Sequence, residues 1–288
     1  MKNQYRLIDS GDNQKLEFIG KHKIIRASIG SMYHKKKPDL WKNADAEYIK
    51  NETGSGTWKF QEKIPDSIEI ELKHGIVMKL KLTPFGHIGI FPEQEKNWEL
   101  IYKIGRSNPD LEVLNLFAYS GASTIFALKS GMSVCHVDAS KGMVDWAMEN
   151  CTLSGVRDMK VRFIVDDVIK FLRREVNRGK HYHGVILDPP SFGRGAKGEV
   201  WKIEKDLPEL MSLIEKLTKG KPEFMILTCH STGFSPIVLE RILGSHIQIK
   251  GEFQNEELFI REEAGGKLSG GFCARFLSEK LLKDKSGN

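Results

Sequence analysis

The sequence predicts an α/β protein, with a mostly parallel, twisted sheet covered by helices and a small β-rich domain in front of it. Three observations carry this. From about residue 110, short apolar strand segments alternate with amphipathic helical ones, the pattern of a parallel sheet buried on both faces. Between residues 58 and 82, three segments alternate apolar with polar residues instead, as antiparallel strands with one wet face do. Successive apolar strands then end in acids: Asp138, Asp166-Asp167 and Asp188. The expected division is a β-rich appendage over residues 1–90 and the larger α/β domain over 91–288.

Taken in order, residues 1 to about 55 read as irregular and polar, with the basic run His34-Lys35-Lys36-Lys37 before Pro38 and a Gly-rich turn at Gly54-Ser55-Gly56. Trp58-Lys59-Phe60, Ile68-Glu69-Ile70-Glu71-Leu72 and Val77-Met78-Lys79-Leu80-Lys81-Leu82 follow as one antiparallel unit, separated by Pro65, Gly75 and Pro84. Pro92 at a first helical position, acids in the first turn, and Trp98 and Ile101 three apart predict a short helix. Val113-Leu114-Asn115-Leu116-Phe117 is a buried strand, followed by the turn Ala118-Tyr119-Ser120-Gly121 and a helix running to Gly131. Residues 133–137 form the second strand. Ser140 caps the next helix, whose Met143, Val144, Ala147, Met148 and Cys151 recur at helical spacing. Residues 161–165 and 184–187 are the third and fourth strands, separated by an amphipathic helix through Ile169, Phe171 and Leu172. A helix around residues 207–217 leads to the fifth strand, 224–227, and further β segments are expected near 247–249 and 271–277.

Composition narrows the function classes. The 288 residues are 40% hydrophobic and 28% charged, an ordinary globular balance. No apolar run approaches the ~18 residues of a membrane span, and the residues after Met1 lack the apolar stretch of a signal peptide, so a cytoplasmic protein without membrane contact is expected. Cys135, Cys151, Cys229 and Cys273 lie far apart with no C-x-x-C pair, so neither a disulfide framework nor a metal site is expected. Forty-four basic against thirty-eight acidic residues give a net charge of +6, a lean toward polyanionic partners.

In an open parallel sheet, ligands bind beyond the carboxyl ends of the strands, where strand order reverses. The turn 118–121 opens a helix and can present backbone N–H groups there. An acid ending the second strand commonly holds a ribose hydroxyl pair. Each acid taken singly has the plainer role of a helix N-cap; their recurrence at successive strand ends points to a nucleoside-containing cofactor. A nicotinamide dehydrogenase needs a G-x-G-x-x-G turn, whereas Phe117-Ala118-Tyr119-Ser120-Gly121-Ala122-Ser123 has one glycine, and no G-x-x-x-x-G-K-[ST] phosphate loop exists. A nucleoside cofactor without a pyrophosphate fits, and S-adenosylmethionine is the foremost such cofactor.

The ordered segments Val113 to Gly121, Val137-Asp138-Ala139-Ser140, Asp166-Asp167-Val168 and Asp188-Pro189-Pro190-Ser191-Phe192 resemble the Rossmann-like class I S-adenosylmethionine-dependent methyltransferases. More narrowly, the chain is similar to the group containing the bacterial large-subunit ribosomal RNA cytosine-C5 and guanine-N7 methyltransferases. The stretches Gly86-His87-Ile88-Gly89-Ile90-Phe91-Pro92-Glu93-Gln94 and Phe259-Ile260-Arg261-Glu262 add to that likeness, which covers about residues 80–278. The resemblance implies a cofactor site of Gln94, Phe117, Ala118, Tyr119, Ser120, Gly121, Asp138, Ala139, Ser140, Asp166, Asp167 and Asp188. In it the turn lies along the methionine part, Asp138 holds the ribose hydroxyls, Asp167 meets the adenine amino group, Asp188 faces the transferring methyl and Gln94 closes the methionine end. The alternative for Gln94 and Trp98 is ordinary helix packing.

The candidate catalytic set is Asp188, Pro189, Pro190, Phe192 and Cys229. Methyl transfer from a sulfonium is an in-line displacement, so a stiff diproline loop bearing a hydrogen-bond acceptor is a sensible positioning device. Enzymes that methylate exocyclic amines usually place the aromatic directly after the prolines, whereas Ser191 intervenes here; the alternative for Phe192 is a place in the core. Methylation at cytosine C5 requires a thiolate. Cys229 stands after the fifth strand, but the C5 enzymes place their nucleophile about two residues later, where this chain has Ser231 in Thr228-Cys229-His230-Ser231-Thr232. Cys229 is therefore either a nucleophile or a buried strand-end cysteine, and His230 a proton carrier or a capping side chain. The expected activity is methyl transfer to RNA, a ribosomal RNA base, with Lys35-Lys36-Lys37 helping to dock phosphates. The alternatives are a small-molecule or protein acceptor, or a cofactor-binding module without transfer activity.

Overall fold

The computed structural model describes residues 4–51, 56–195, 198–231 and 233–284, and the chain divides into two compact units. One comprises Met1–Glu93 with Phe259–Gly270, the other Gln94–Leu258 with Gly271–Asn288.

The first unit departs most from expectation. Residues 5 to 50, read as irregular, hold β1 (Tyr5–Gly11), β2 (Gln14–Ile19), β3 (His22–Ala27) and β4 (Ala46–Lys50), and β5 (Gly56–Phe60) completes a sheet in the order β1-β2-β3-β4-β5. Of the expected glycine turn, Gly54 and Ser55 lie outside the described residues. The strands hid because their inward positions include charges. Glu17 is fully buried on β2, where its carboxylate accepts from Tyr5 Oη at 2.6 Å and from Arg26 Nε and Nη2 at 2.6 and 2.8 Å, with Lys15 Nζ 3.3 Å away. The β1–β2 turn is Asp12-Asn13, both in left-handed conformation (φ 52° and 60°), a two-residue hairpin without the usual glycine.

Burial alone would raise the Glu17 pKa, but the charges of Arg26 and Lys15, with hydrogen bonds from Arg26 and Tyr5, outweigh it and hold the carboxyl at about 2. A group depressed in the folded state stabilises fully above its unfolded pKa, and that contribution is lost as pH falls from about 4.5 through about 2. Urea titrations at pH 7, 4 and 2.5 should show stability dropping across this window in the wild type and less in Glu17→Gln. Removing the partner with Arg26→Ala should cost about 3–5 kcal/mol at pH 7, because a buried carboxylate is left uncompensated.

Trp58-Lys59-Phe60 does not join the two following segments. It pairs with β4, setting Trp58 opposite Tyr48 with ring centroids 5.1 Å apart, while β6 (Ile68–Leu72) and β7 (Ile76–Leu80) form a separate antiparallel pair. The basic run is also tied down. Lys35 Nζ sits 4.0 Å over the Trp41 ring and donates to Gln14 Oε1 at 2.8 Å; Lys36 Nζ donates to the Gly265 carbonyl at 2.8 Å. The backbone N–H groups of Lys36 and Lys37, with Trp41 Nε1, all donate to Asp9. Residues 259–270 belong here through β1: Leu7 and Ile8 carbonyls accept from Glu263 and Ala264 N–H, and Ser10 Oγ donates to Glu262.

In the second unit, a 3-10 turn at Pro92–Gln94 leads into α1 (Glu95–Ser107). There follow β8 (Glu112–Leu116), α2 (Ala122–Lys129), β9 (Ser133–Asp138), α3 (Lys141–Leu153), β10 (Val161–Val165), α4 (Val168–Asn177) and β11 (Gly184–Leu187). After them come β12 (Phe192–Arg194), β13 (Val200–Lys202), α5 (Ile203–Thr218), β14 (Phe224–Cys229), α6 (Pro236–Gly244), β15 (Gly251–Arg261), β16 (Lys267–Ser278) and α7 (Glu279–Asp284). The strand expected near 247–249 starts instead at Gly251. The seven-stranded sheet runs β10-β9-β8-β11-β14-β16-β15, parallel from β10 through β14, with β16 antiparallel to β14. Leu116, Val137, Phe171, Leu187, Met211, Leu227 and Phe276 lie in its core. Strand order reverses between β8 and β11, so their carboxyl ends frame a crevice. Among the described residues, no helix is long and apolar enough to cross a membrane.

Candidate active site

The turn after β8 is wound tightly. Phe117, Tyr119 and Gly121 all take positive φ (55°, 51° and 92°), a conformation that costs a non-glycine residue about 1–3 kcal/mol and persists where neighbours enforce it. The Phe117 ring packs 4.9 Å from that of Trp201, the Tyr119 ring 6.0 Å from that of Trp146, and the Ser120 carbonyl accepts from Asn150 Nδ2 at 3.0 Å. Ala118 N–H donates to the Val137 carbonyl at 3.1 Å, and a Cβ on Gly121 would meet Ala147 Cβ at 2.9 Å. Beneath the turn, Thr124 Oγ1 joins Asn115 Nδ2 and His136 Nδ1, each at 2.9 Å, and burial lowers His136 to about 3, keeping it neutral.

Asp138, at the end of β9, is not a helix cap. Its Oδ2 accepts Tyr119 N–H and its Oδ1 accepts Ser140 N–H, both at 2.9 Å, so one carboxylate links the turn to the start of α3. Ser140 is the cap, accepting Met143 N–H at 3.4 Å, and half-buried Ala139 lies between them. Burial raises the Asp138 pKa against the pull of those two N–H bonds. At the end of β10 the local roles are filled differently. Asp167 caps α4 through Lys170 N–H at 2.9 Å, while Asp166 accepts Asp167 N–H at 2.9 Å and pairs with Arg174.

Beyond β11, Asp188 Oδ1 accepts from Thr228 Oγ1 at 2.5 Å and lies 4.0 Å from His230 Nε2. Burial raises its pKa; the His230 charge and the Thr228 bond oppose that. The diproline loop is fastened at three points: the Pro190 carbonyl accepts Trp201 Nε1 at 2.6 Å, the Ser191 carbonyl accepts Ile203 N–H at 3.1 Å, and the Ser191 and Ser231 hydroxyls lie 2.7 Å apart. Pro189 is buried and Pro190 exposed. Phe192 does not enter the core: it is 51% exposed on the β12–β13 hairpin, with the Arg194 guanidinium 5.9 Å from its ring, and Trp201 takes the inner place. Cys229 is 0% exposed opposite Phe272, its Sγ accepts Ser231 N–H at 3.3 Å, and burial raises its pKa.

Gln94 lies at the head of α1. Its Oε1 accepts Asn97 Nδ2 at 2.6 Å, Asn97 Oδ1 accepts Arg275 Nε at 2.6 Å, and the buried Gln94 Nε2 has no hydrogen-bond partner. Trp98 packs in the helix interface, stacked on Phe126 at 5.5 Å. Sequence reasoning missed Trp201 and the pairing of Thr228 with Asp188. The second was findable: Leu187 stands opposite Leu227 in parallel register, so the residues that follow are neighbours. Among the described residues, no group of three or more His, Cys, Asp or Glu side chains could hold a metal.

Comparison with known proteins agrees with this layout. Residues 67–221, more than half of the chain, match the family model described as S-adenosylmethionine-dependent methyltransferase. The solved SAM-dependent methyltransferase of Agrobacterium tumefaciens is 32% identical with a TM-score of 0.89, covering 96% of this chain and 91% of that one. Ribosomal RNA large subunit methyltransferase I of Tolumonas auensis is 34% identical over 175 residues, 60% of this chain and 43% of that protein. Ribosomal RNA large subunit methyltransferase K/L of Shewanella frigidimarina is 30% identical over 155 residues, 53% and 21%. The chain thus spans less than half the length of these curated relatives. From its sheet order, its turn after β8 and these matches, the chain belongs to the S-adenosylmethionine-dependent methyltransferases.

Proposed function

We propose that this methyltransferase acts on a base of RNA, ribosomal RNA being the first candidate. The observation that carries the reading is the exposed Phe192–Arg194 surface, which starts two residues after the diproline loop holding Asp188. A single-stranded base splayed out of its stack is recognised by aromatic and guanidinium planes, and this pair offers both beside a hydrogen-bond acceptor. The names of the curated relatives point the same way.

The residues present fit the cofactor. Gln94 Nε2, a buried donor without a partner, suits the carboxylate of the methionine part, and the strained turn 117–121 suits the chain beside it. Asp138 keeps lone pairs beyond its two N–H bonds for a ribose hydroxyl pair, flanked by Ala139 and Ser140. Asp167 retains a second oxygen for the adenine amino group, with Asp166 anchoring it from behind. When bound, the cofactor supplies an activated methyl group on a sulfonium. Pro189 and Pro190, fastened by Trp201, then hold Asp188 still while its carboxylate orients the acceptor. Cys229 we read as a strand-end thiol: a fully buried sulfur with a raised pKa lacks both the access and the thiolate that covalent attack on a ring requires.

Incubating the purified protein with methyl-labelled cofactor and total RNA from cells lacking it, then digesting to nucleosides, should place the label in one modified base. Label in protein or small molecules instead of RNA would replace this reading.

A further inference from the structure

In the first unit, a β-turn holds an apolar ring out in solvent. The turn is Thr83-Pro84-Phe85-Gly86, closed by Gly86 N–H donating to the Thr83 carbonyl at 3.0 Å, and Phe85 at its corner is 76% exposed. Three side chains fasten it. Trp58 Nε1 donates to the Thr83 carbonyl at 2.8 Å, Tyr48 Oη to the Pro84 carbonyl at 3.0 Å and Arg26 Nη1 to the Gly86 carbonyl at 2.9 Å. A Cβ on Gly86 would come within 2.6 Å of the Tyr48 ring, so turn and sheet are closely packed. Trp58 and Phe60 share one face of β5, with ring centroids 6.4 Å apart and planes 28° from parallel, and Phe60 is 56% exposed. β5 is the last strand of its sheet.

We propose that Trp58, Phe60 and Phe85 form a stacking platform for single-stranded RNA, holding a segment of the substrate other than the base that is methylated. This rests on the reading of RNA as the substrate. Single exposed apolar residues are ordinary, but here two exposed rings and a half-buried third are gathered by a turn and an edge strand that hydrogen bonds lock together. The polar ends of Tyr48 and Trp58 are spent on the turn, so the patch is left with ring surface. Ring surface suits bases of any sequence, because every base has a π-face. The fastening also means that little order is lost on binding, as a preorganised site requires. The surrounding charge favours a polyanion over an apolar protein partner. Lys50 shares the face of Tyr48, and Lys59 and Lys63 flank Phe60, all three exposed, against a single acid, Glu62, within residues 56–63. The basic run expected to dock phosphates is engaged within the unit instead, Lys35 with Trp41 and Gln14 and Lys36 with Gly265.

Fluorescence anisotropy on the full chain tests this, with a labelled single-stranded RNA of about 12 nucleotides as probe. The wild type should bind the single strand more tightly than the same sequence in a duplex, whose bases are already stacked. Phe60→Ala combined with Phe85→Ala should weaken the single strand about 10- to 100-fold, with thermal midpoint and cofactor affinity kept, since both rings are exposed. Leucine at both positions keeps apolar surface but loses the π-face and should bind nearly as weakly as the alanine pair, whereas tyrosine at both should bind like the wild type. Lys50→Ala with Lys59→Ala should lower the slope of log affinity against log salt by about 0.7 per lysine, a slope that the phenylalanine variants leave unchanged. Unchanged binding in the alanine pair overturns the proposal. So does full binding by the leucine pair, or self-association of the wild type that the alanine pair abolishes, the mark of a second copy on the patch. Label transferred to RNA with equal probe binding in every variant overturns the platform alone; label on protein or small molecules, with no RNA bound, overturns the RNA reading and the platform with it.

Discussion

Asp138→Ala should weaken S-adenosylmethionine about a hundredfold or more while the protein stays folded. Hydrogen bonds to a charged group are worth about 1.5–3 kcal/mol each, and roughly 3 kcal/mol corresponds to two powers of ten in affinity. The truncation also strands Tyr119 N–H and Ser140 N–H, which both donate to this carboxylate, so the turn loses its tie to β9 as well. Asp138→Asn should fall in between, because one amide oxygen can accept from one of the two backbone donors and the amide nitrogen faces the other. Because burial raises its pKa, cofactor affinity should fall with acidification at a higher pH than an ordinary aspartate would set. Calorimetry on the wild type and both variants, with circular dichroism to confirm folding, measures all of this; equal affinity in a folded Asp138→Ala would remove Asp138 from the site.

Asp188→Asn should cut kcat by about 10²- to 10³-fold with the cofactor dissociation constant changed by no more than a few-fold. The variant keeps the shape of the diproline loop and a partner for Thr228 but loses the charge and basicity aimed at the acceptor. Cys229→Ser and Cys229→Ala should retain most of kcat, since neither changes a group that reaches the crevice. Their cost falls on stability, about 1–3 kcal/mol for a serine hydroxyl in that apolar setting. Rates on labelled RNA with saturating cofactor compare all three, and a covalent adduct with fluorinated cytosine trapped through Cys229 would reverse the assignment.

The second unit was legible because parallel strands bury both faces and so appear as uninterrupted apolar runs, and because topology places ligands at their carboxyl ends. That is why Asp138, Asp166, Asp167 and Asp188 could be picked out by position. Ser140 was legible as the cap of α3 and the structure keeps it there, but the local duties of the acids were not: Asp138 ties the turn to the start of α3, whereas Asp167 caps α4. Trp201 left no trace, since its bond to the Pro190 carbonyl crosses a hairpin of no fixed period. In the first unit, Glu17 and Arg26 neutralise each other inside the sheet, and a paired buried charge looks like surface in a pattern of apolar and polar letters. Asp12-Asn13 turns the chain with both residues left-handed and no glycine between the strands' ends, so no glycine signal marked the hairpin.

The attachment of residues 262–264 to β1 has a consequence for biosynthesis. β1 is the outermost strand of its five-stranded sheet, and its edge carbonyls are met by N–H groups that the ribosome makes only after residues 94–258. At ordinary elongation speeds that interval is roughly 10–30 s. During it the nascent first unit carries a bare edge, the kind of surface on which neighbouring nascent chains pair wrongly. A chain cut anywhere within 94–258 keeps that edge bare for good, so the amino-terminal fragment of a split protein should be the one that aggregates until its carboxyl-terminal partner is supplied.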